Sequence, residues 1–277
     1  MKKVLILSVM LVVALSLPAA AYQVNWTDCF DSYTAGNLSG QGGWATVTGH
    51  AAVNVVTDQF FTAPNSVKQT AGSLKSAANR DLRYAGIPYQ VGSLKARVYD
   101  PMVAGAGDTR VGAHSSAGAD ITGKLFTANI TGAGAGSNTY WRAQWSFGVG
   151  DIDGNPATVF PGGTGWTWTE IKAAPRVAGW NYAAISWAFD YTANTAHIEW
   201  RINSPTPCLT LDFSSATGRW ANSHDVAGVY IGSAYGASSM GNVDNIEFHG
   251  NLIPEPTSLL ALGTGLIGLA GLIRRKR

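Results

Sequence analysis

The 277-residue sequence predicts an all-β fold in which two antiparallel sheets pack face to face as a sandwich. Between Tyr22 and Ile253, helical periodicity is nearly absent, and short runs alternate apolar and polar residues before ending at Gly, Asn, Asp or Pro. Glycines number 33 and charged residues are only 13% of the chain, which is typical of an extracellular β protein. Because no long linker divides this region, we predict one domain over residues 22–253.

Six segments show the alternation most clearly. They are Ala52–Thr57, Leu94–Tyr99, Tyr140–Val149, Tyr182–Asp190, Ala196–Ile202 and Val243–His249. In the second segment, Leu94, Ala96 and Val98 are expected to face the core, while the intervening lysine and arginine face water. Residues 190–195 lie between two strand-like runs and predict a hairpin turn.

The N-terminus has the pattern of a secretory signal peptide. Lys2 and Lys3 precede an apolar run from Val4 to Leu17, which ends in a proline and the small residues Ala19–Ala21. These are the charged, hydrophobic and cleavage regions of such a signal, so residues 1–21 are predicted to be removed. An uncleaved N-terminal anchor is the alternative, and the short apolar run disfavours it.

The last residues, 254–277, consist of three ordered parts. These parts are the tripeptide Pro254, Glu255 and Pro256, the uncharged run Thr257–Ile273, and the terminal cations Arg274, Arg275, Lys276 and Arg277. The prolines interrupt any strand or helix that would continue from the preceding domain. As a helix the uncharged run is about 26 Å long, slightly short of the ~30 Å hydrocarbon core of a bilayer. We predict a hydrophobic transmembrane helix whose basic end stays in the cytoplasm.

This C-terminal segment resembles the PEP-CTERM sorting tail of Gram-negative bacteria, in its tripeptide, its apolar run and its basic cluster. The resemblance implies processing by an exosortase-type enzyme, and membrane anchoring at the C-terminus before that step. It also implies a final location at the cell surface or in the extracellular matrix, in association with extracellular polysaccharide. An ordinary C-terminal membrane anchor is the alternative.

The charge of the chain argues against a nucleic-acid partner. The formal net charge is +2, but six cations and one glutamate belong to the two targeting segments. Residues 22–253 therefore carry three more acidic than basic residues. Binding to DNA or RNA requires clustered cations that displace counterions, and this region has no such cluster in its sequence.

A second resemblance covers the body of the chain. Asp28–Trp44 resembles the opening motif D-x-F-E-x-Y-x-x-G-x-L-x-x-Q-x-G-W of bacterial concanavalin A-like (laminin G-like) jelly rolls. Trp180–Tyr191 resembles a W-to-D-Y strand of such domains, and Val243–Ile246 resembles their closing D-N-I strand. At Asp31 the chain departs from the motif, which often has Glu there. The resemblance implies a jelly-roll sandwich, in a group that includes both glycanases and non-catalytic sugar binders.

The carboxylates favour a non-catalytic protein. Retaining glycosidases need two carboxyl groups about 5 Å apart, and glycanases of the resembled group commonly carry them on one strand. The four glutamates are Glu170, Glu199, Glu247 and Glu255, and none has a second carboxylate two or four residues away on a strand. His197 and Glu199 share a strand face, which we interpret as solvated. A glycan hydrolase or lyase is the less favoured alternative.

One short segment has the beginning of a calcium loop. Asp151, Asp153 and Asn155 place oxygen ligands at alternate positions before a turn, but no acidic residue follows at the spacing of an EF-hand. Asp-Gly and Asn-Pro are also ordinary turn residues, so a plain turn is the alternative. No cofactor is predicted apart from calcium here.

Two predictions depend on the neighbours of the first strand. If it lies beside the last strand, Asp28, Asp31 and Asp244 would form a second oxygen site. In an oxidising compartment the two cysteines, Cys29 and Cys208, would form a disulfide that ties the first strand to a late one. Two buried free thiols are the alternative.

The ten tryptophans suggest a sugar-binding surface, because aromatic faces stack on pyranose rings. Trp166 and Trp168 lie two residues apart beside a turn-rich segment and are the surface candidates. Trp187 and Trp200 lie in strand-like runs and are assigned to packing. The sequence thus predicts a non-catalytic surface or matrix protein with a structural or adhesive role in the exopolysaccharide layer. The alternative is a lectin-like carbohydrate-binding module.

Overall fold

The structure, a computed structural model, is an antiparallel β-sandwich. It describes residues 22–69, 77–83, 89–102, 108–114, 124–131, 139–145, 151–152, 155–156, 167–190, 195–214, 226–232 and 241–252. Within these ranges the regular secondary structure consists of β-strands, and all strand pairs are antiparallel. The predicted fold class is confirmed.

Two large sheets form the two layers. The nine-stranded sheet has the order β16 (Leu209–Ser214), β15 (Thr195–Ile202), β14 (Gly179–Asp190), β7 (Val91–Asp100), β18 (Asn242–Leu252), β5 (Ser66–Gln69), β4 (Val53–Val56) and β2 (Gly36–Asn37), with β1 (Tyr22–Asp28) also paired to β18. The seven-stranded sheet has the order β13 (Thr167–Pro175), β10 (Tyr140–Trp145), β9 (Lys124–Thr131), β8 (Asp108–His114), β17 (Gly228–Gly232), β6 (Ala77–Asp81) and β3 (Ala45–Thr46). A separate pair consists of β11 (Asp151–Ile152) and β12 (Asn155–Pro156).

The six predicted strand segments correspond to β4, β7, β10, β14, β15 and β18. In β7, Leu94, Ala96 and Val98 are buried and the residues between them are half-buried, as the alternation predicts. Asp190 pairs with Thr195, so β14 and β15 form the predicted hairpin.

Aromatic side chains fill the space between the sheets. Trp187 of β14 packs against Phe126 of β9, with ring centroids 5.5 Å apart. Trp200 of β15 packs against Trp145 of β10 at 6.4 Å. All four rings are fully buried, which confirms that the two tryptophans assigned to packing belong to the core.

The first and last strands are neighbours. β1 pairs with β18 over its whole length, from Tyr22 opposite Leu252 to Asp28 opposite Ile246. Tyr22 and Leu252, near the two ends of the predicted domain, therefore lie side by side.

Asp28 holds the opening motif together. Its Oδ2 accepts hydrogen bonds from the Tyr33 hydroxyl at 2.6 Å and from Trp44 Nε1 at 2.9 Å. Its Oδ1 accepts the backbone N–H of Phe30 at 2.9 Å. Asn65 donates to the carbonyl oxygens of Phe30 and Tyr33 from the other side. The residues that carry the resemblance thus form one hydrogen-bonded unit at the end of β1.

The predicted disulfide is wrong, because both cysteines are free. Cys29 follows β1, which lies beside β18, and Cys208 precedes β16 at the far edge of the same sheet. Five strand spacings separate β1 from β16, which is about 24 Å at ~4.8 Å per spacing. A disulfide requires Cα atoms within about 7 Å.

The predicted signal peptide, residues 1–21, and the predicted C-terminal helix in residues 254–277 lie outside the described residues. Among the residues that are described, no helix has the length and apolarity to cross a bilayer.

We expect Asp28→Asn to lower the free energy of unfolding by about 2–4 kcal/mol, because it places an amide N–H₂ against two donors that are left without an acceptor. Urea unfolding of the full chain measures this loss. Asp212→Asn is the matched control, since the Asp212 side chain is 77% exposed and should tolerate the change. Equal stability of the two variants would contradict the structural role of Asp28.

Candidate functional site

The face of the seven-stranded sheet that points away from the core carries polar side chains. In β10, Trp141, Ala143 and Trp145 belong to the hydrophobic core. Because side chains alternate along a strand, Arg142 and Gln144 point to the opposite face.

The strand register arranges this face in two rows. The first row consists of Trp168, Gln144, Thr127, Gly112 and Tyr230, and the second of Glu170, Arg142, Asn129, Arg110 and Gly232. We call these ten residues the polar face. It crosses five neighbouring strands, β13, β10, β9, β8 and β17.

Burial distinguishes the polar face from an ordinary solvated strand surface. Arg110, Arg142 and Gln144 are each less than a tenth exposed, and Thr127 and Asn129 are equally buried. Removing charges and amides from water is unfavourable unless partners replace the water. These five side chains therefore form a buried polar layer, which we call the polar recess.

Trp168 lies at the edge of this recess and is 38% exposed. The Arg142 guanidinium stacks on its ring, with Cζ 4.2 Å from the ring centroid. Arg142 Nη2 lies 3.9 Å from Oε1 of Glu170, which also forms an ion pair with Lys172. These contacts hold the indole and the guanidinium in fixed positions. Trp168 is therefore on the surface as predicted, whereas Trp166 lies outside the described residues.

Gln144 provides an unused hydrogen-bond acceptor. Its Oε1 is buried and has no hydrogen-bond partner among the described residues. By contrast, Asn129 Oδ1 accepts the Thr127 hydroxyl at 3.1 Å. A buried carbonyl oxygen without a donor is costly for the folded state.

Glycines shape the floor of the recess. A Cβ atom at Gly232 would lie 2.2 Å from the Tyr230 hydroxyl oxygen, so the phenol lies along its own strand above Gly232. Gly232 pairs with Arg110, which places the hydroxyl beside the arginine row. At Gly112 a Cβ would lie 2.0 Å from the Phe126 carbonyl oxygen. Larger side chains at these two positions would displace the neighbouring groups.

Sequence reasoning did not identify Arg110, Asn129 or Gln144 as site residues. The available signal was the alternation of polar residues with Val, Ala, Ile or Trp in β8, β9 and β10, which indicates strands whose second face is polar. Their convergence depends on register between strands that are distant in sequence.

The predicted calcium segment is described only at its two ends, which pair as antiparallel strands. Asp151 pairs with Pro156 and Ile152 with Asn155, while Asp153 and the glycine after it lie outside the described residues. The calcium prediction therefore stays a prediction, with a plain turn as its alternative. No group of three or more His, Cys, Asp or Glu side chains in the described part of the chain is placed to hold a metal ion.

The second proposed oxygen site has its strands in place, but two of its carboxylates are occupied. Both carboxylate oxygens of Asp28 already accept hydrogen bonds from groups of the opening motif. Asp244 accepts the backbone N–H groups of Phe61 and Thr62 on Oδ2 and that of Asn245 on Oδ1. Among the oxygens of these three carboxylates, Oδ1 of Asp31 is buried without a partner within the described ranges.

Burial raises the pKa of Asp244 to about 6, and the negative charge of Asp31 adds to the increase. The three backbone N–H donors oppose this change but do not cancel it. Asp244 is therefore a carboxyl group that is poorly solvated and close to a like charge.

His197 lies on the outer face of the nine-stranded sheet. Its Nδ1 is 2.6 Å from Asp212 Oδ1 and its Nε2 is 3.4 Å from Glu199 Oε1, beside an open cavity of about 380 Å³. The hydrogen bond to Asp212 is the largest cause that raises the pKa of His197. The imidazole is nearly half exposed, as a solvated strand face predicts.

Comparison with known proteins identifies the C-terminal segment. Residues 252–276 match the PEP-CTERM protein-sorting motif. The predicted resemblance is confirmed for this segment. The motif implies export, surface localisation and exosortase processing.

Solved structures resemble the body of the chain at low identity. Lectin II from Ulex europaeus is 8% identical, with 83% of this chain and 99% of the lectin covered and a TM-score of 0.41. Cellulose induced protein Cip1 is 14% identical, with 82% and 94% covered and a TM-score of 0.44. Domain 4 of the arabinanase AbnA from Geobacillus stearothermophilus is 14% identical, with 88% and 98% covered and a TM-score of 0.40. No curated protein matches the chain in sequence.

We expect the stability contribution of Asp244 to increase as the pH falls from 7 through 6 towards 4. Its pKa is higher in the folded chain than in the unfolded chain, so the folded state binds the proton more tightly. The full difference is worth about 3 kcal/mol. Asp244→Asn should remove this rise from a plot of the unfolding free energy against pH. The raised pKa of His197 also affects the plot, but His197 is present in both proteins and its contribution cancels in the comparison.

Asp31→Asn is a second variant that leaves the Asp244 hydrogen bonds in place. It should move the rise to lower pH, because it removes the neighbouring negative charge. Parallel curves for the wild type and both variants would contradict the raised pKa.

Proposed function

We propose that the protein is a non-catalytic surface or extracellular-matrix protein that binds polysaccharide through the polar face and has an adhesive role in the exopolysaccharide layer. The observation that carries this proposal is the exposed Trp168 ring, which is fixed by Arg142 at the edge of a recess lined with amides and guanidinium groups. The sorting motif supplies the export that such a role requires.

The side chains of the polar face match the chemistry of a sugar chain. The Trp168 ring offers an apolar face for the C–H side of a pyranose. The Arg142 guanidinium beside this ring carries a positive charge that favours a sugar with a carboxylate. A mostly preformed site with a few converging polar groups is the usual form of a ligand site.

A binding role is favoured over hydrolysis. Glu170 is the one carboxylate of the polar face as defined here, and Arg142 and Lys172 engage both of its oxygens. Hydrolysis by the usual mechanism needs a pair of carboxyl groups with separate roles.

A second candidate function, a uronate lyase, is favoured by Tyr230. Its hydroxyl lies beside the row that contains Arg110. A base there would remove the sugar proton α to a carboxylate whose charge an arginine offsets. The electron pair forms a C4–C5 double bond, the C4–oxygen bond breaks, and the leaving oxygen takes a proton.

We expect Trp168→Ala and Arg142→Gln each to weaken polysaccharide binding at least about tenfold, because each removes one half of the stacked pair. The measurement is a glycan array with the full-length protein, followed by titration calorimetry on the strongest polymer. Val177→Ala and Arg83→Gln are controls for lost apolar surface and lost charge, as both residues lie outside the polar face.

Wild-type affinity in both folded variants would contradict the proposed site. Release of unsaturated sugar by the wild type, abolished in Tyr230→Phe, would instead establish the lyase.

A further inference from the structure

A second group of aromatic residues surrounds an arginine on the outer face of the nine-stranded sheet. It consists of Phe61, Arg97, Tyr99, Trp180 and Tyr182, and we call it the Arg97 cluster. Tyr182 pairs with Arg97 and Trp180 with Tyr99 across β14 and β7. Phe61 comes from the segment between β4 and β5 and closes the group from the other side.

The Arg97 guanidinium contacts aromatic rings rather than acidic side chains. Its Cζ lies 4.5 Å from the Phe61 ring centroid and 5.2 Å from that of Tyr182. Within the described residues its guanidinium forms no hydrogen bond and no ion pair. Lys95, two positions earlier on the same face, bonds to Glu247 at 2.8 Å. The N–H donors of Arg97 are thus available for a ligand, in a fixed plane.

The aromatic groups around Arg97 are preorganised. The backbone N–H groups of Phe61 and Thr62 both donate to the buried Asp244, at 2.8 and 3.0 Å, which fixes the segment that carries the Phe61 ring. Trp180 packs edge-to-face against Phe61 at 5.9 Å and against Tyr99 at 5.5 Å. Nevertheless, the Phe61 side chain is 44% exposed. Binding here would therefore cost little ordering of side chains.

We propose that the Arg97 cluster is a second polysaccharide site, which binds a sugar that carries a carboxylate. A planar guanidinium pairs with a carboxylate through two parallel hydrogen bonds, and the neighbouring rings cover the apolar face of the sugar. Residues 22–253 have an excess of acidic residues, so attraction for an acidic polymer must come from local cations such as this one.

The two sites face opposite directions, because they lie on the outer faces of the two packed sheets. One protein molecule can then contact two polymer chains and bridge them. This second step rests on the proposed function of the polar face. The bridging of chains would give the adhesive role a physical basis, since two linked sites raise the avidity for a polymer network.

A second copy of the chain fits the cluster less well. A two-fold interface centred on this surface would bring the same residues together, including both Arg97 guanidinium groups. Without a carboxylate between them, these like charges would repel each other. An acidic polymer supplies the missing charge.

The experiment uses full-length protein with polygalacturonate and with the same polymer after reduction of its carboxyl groups. Affinity electrophoresis measures binding, and turbidity of the mixture measures bridging. We compare Arg97→Gln with Lys95→Gln, a matched change two residues away on the same strand and face. Arg97→Lys keeps the charge but loses the planar fork, and thermal unfolding verifies that each variant is folded.

We expect Arg97→Gln to abolish turbidity and to weaken retardation by polygalacturonate several-fold, while Lys95→Gln behaves as wild type. Arg97→Lys should give an intermediate result, and the reduced polymer should not distinguish Arg97→Gln from wild type. Trp168→Ala should also abolish turbidity while it keeps the retardation that depends on Arg97.

The outcomes separate the two sites. If Arg97→Gln matches wild type in both assays, the Arg97 cluster is not a site, whatever Trp168→Ala shows. If Trp168→Ala has no effect but Arg97→Gln removes all binding, the result supports the Arg97 cluster as a binding site and contradicts the polar face as one. Sedimentation without polymer tests whether a second copy of the chain binds to the Arg97 cluster instead. A dimer that Arg97→Gln dissociates would contradict the polysaccharide site and support a dimer interface.

Discussion

The sandwich depends on the pairing of β18 with three other strands. β18 lies inside the nine-stranded sheet, with β7 on one side and both β1 and β5 on the other. A bulge between Asp244 and Glu247 divides it, so that one part pairs with β5 and the other with β1. Asn245, at the bulge, has a positive φ of 46° and accepts the Thr62 hydroxyl. The closing D-N-I motif therefore lies at the bulge of β18. Because β18 is the last strand of the domain, the nine-stranded sheet is incomplete until the end of the domain is present.

This arrangement links the fold to the export of the protein. Tyr22 lies opposite Leu252, and the sorting motif begins at Leu252. A chain attached at this end has its two sheet faces directed sideways from the attachment point. Such an orientation would turn the exposed Trp168 ring and the Arg97 cluster to opposite sides of the molecule.

The sequence predicts the strands well, because alternation is a local property that each segment carries in full. Leu94, Ala96 and Val98 face the core as expected for this reason. The sequence does not predict the polar face, since Arg110, Asn129 and Gln144 converge only through the register of three separate strands. The disulfide prediction fails for the same reason. Strand order across the sheet, which sequence spacing does not encode, decides whether Cys29 and Cys208 meet.

A buried acceptor on the polar face adds a physical argument for a functional role of that face, beside the exposed Trp168 ring. A sandwich needs one apolar face per sheet, and its second face is normally left in water. Here Gln144 Oε1 is buried on that second face and has no hydrogen-bond partner among the described residues, which is less favourable for folding than a solvated oxygen. Proteins retain such unfavourable groups where function requires them. The argument for the Arg97 cluster is different, because its guanidinium contacts aromatic rings and forms no hydrogen bond within the described residues.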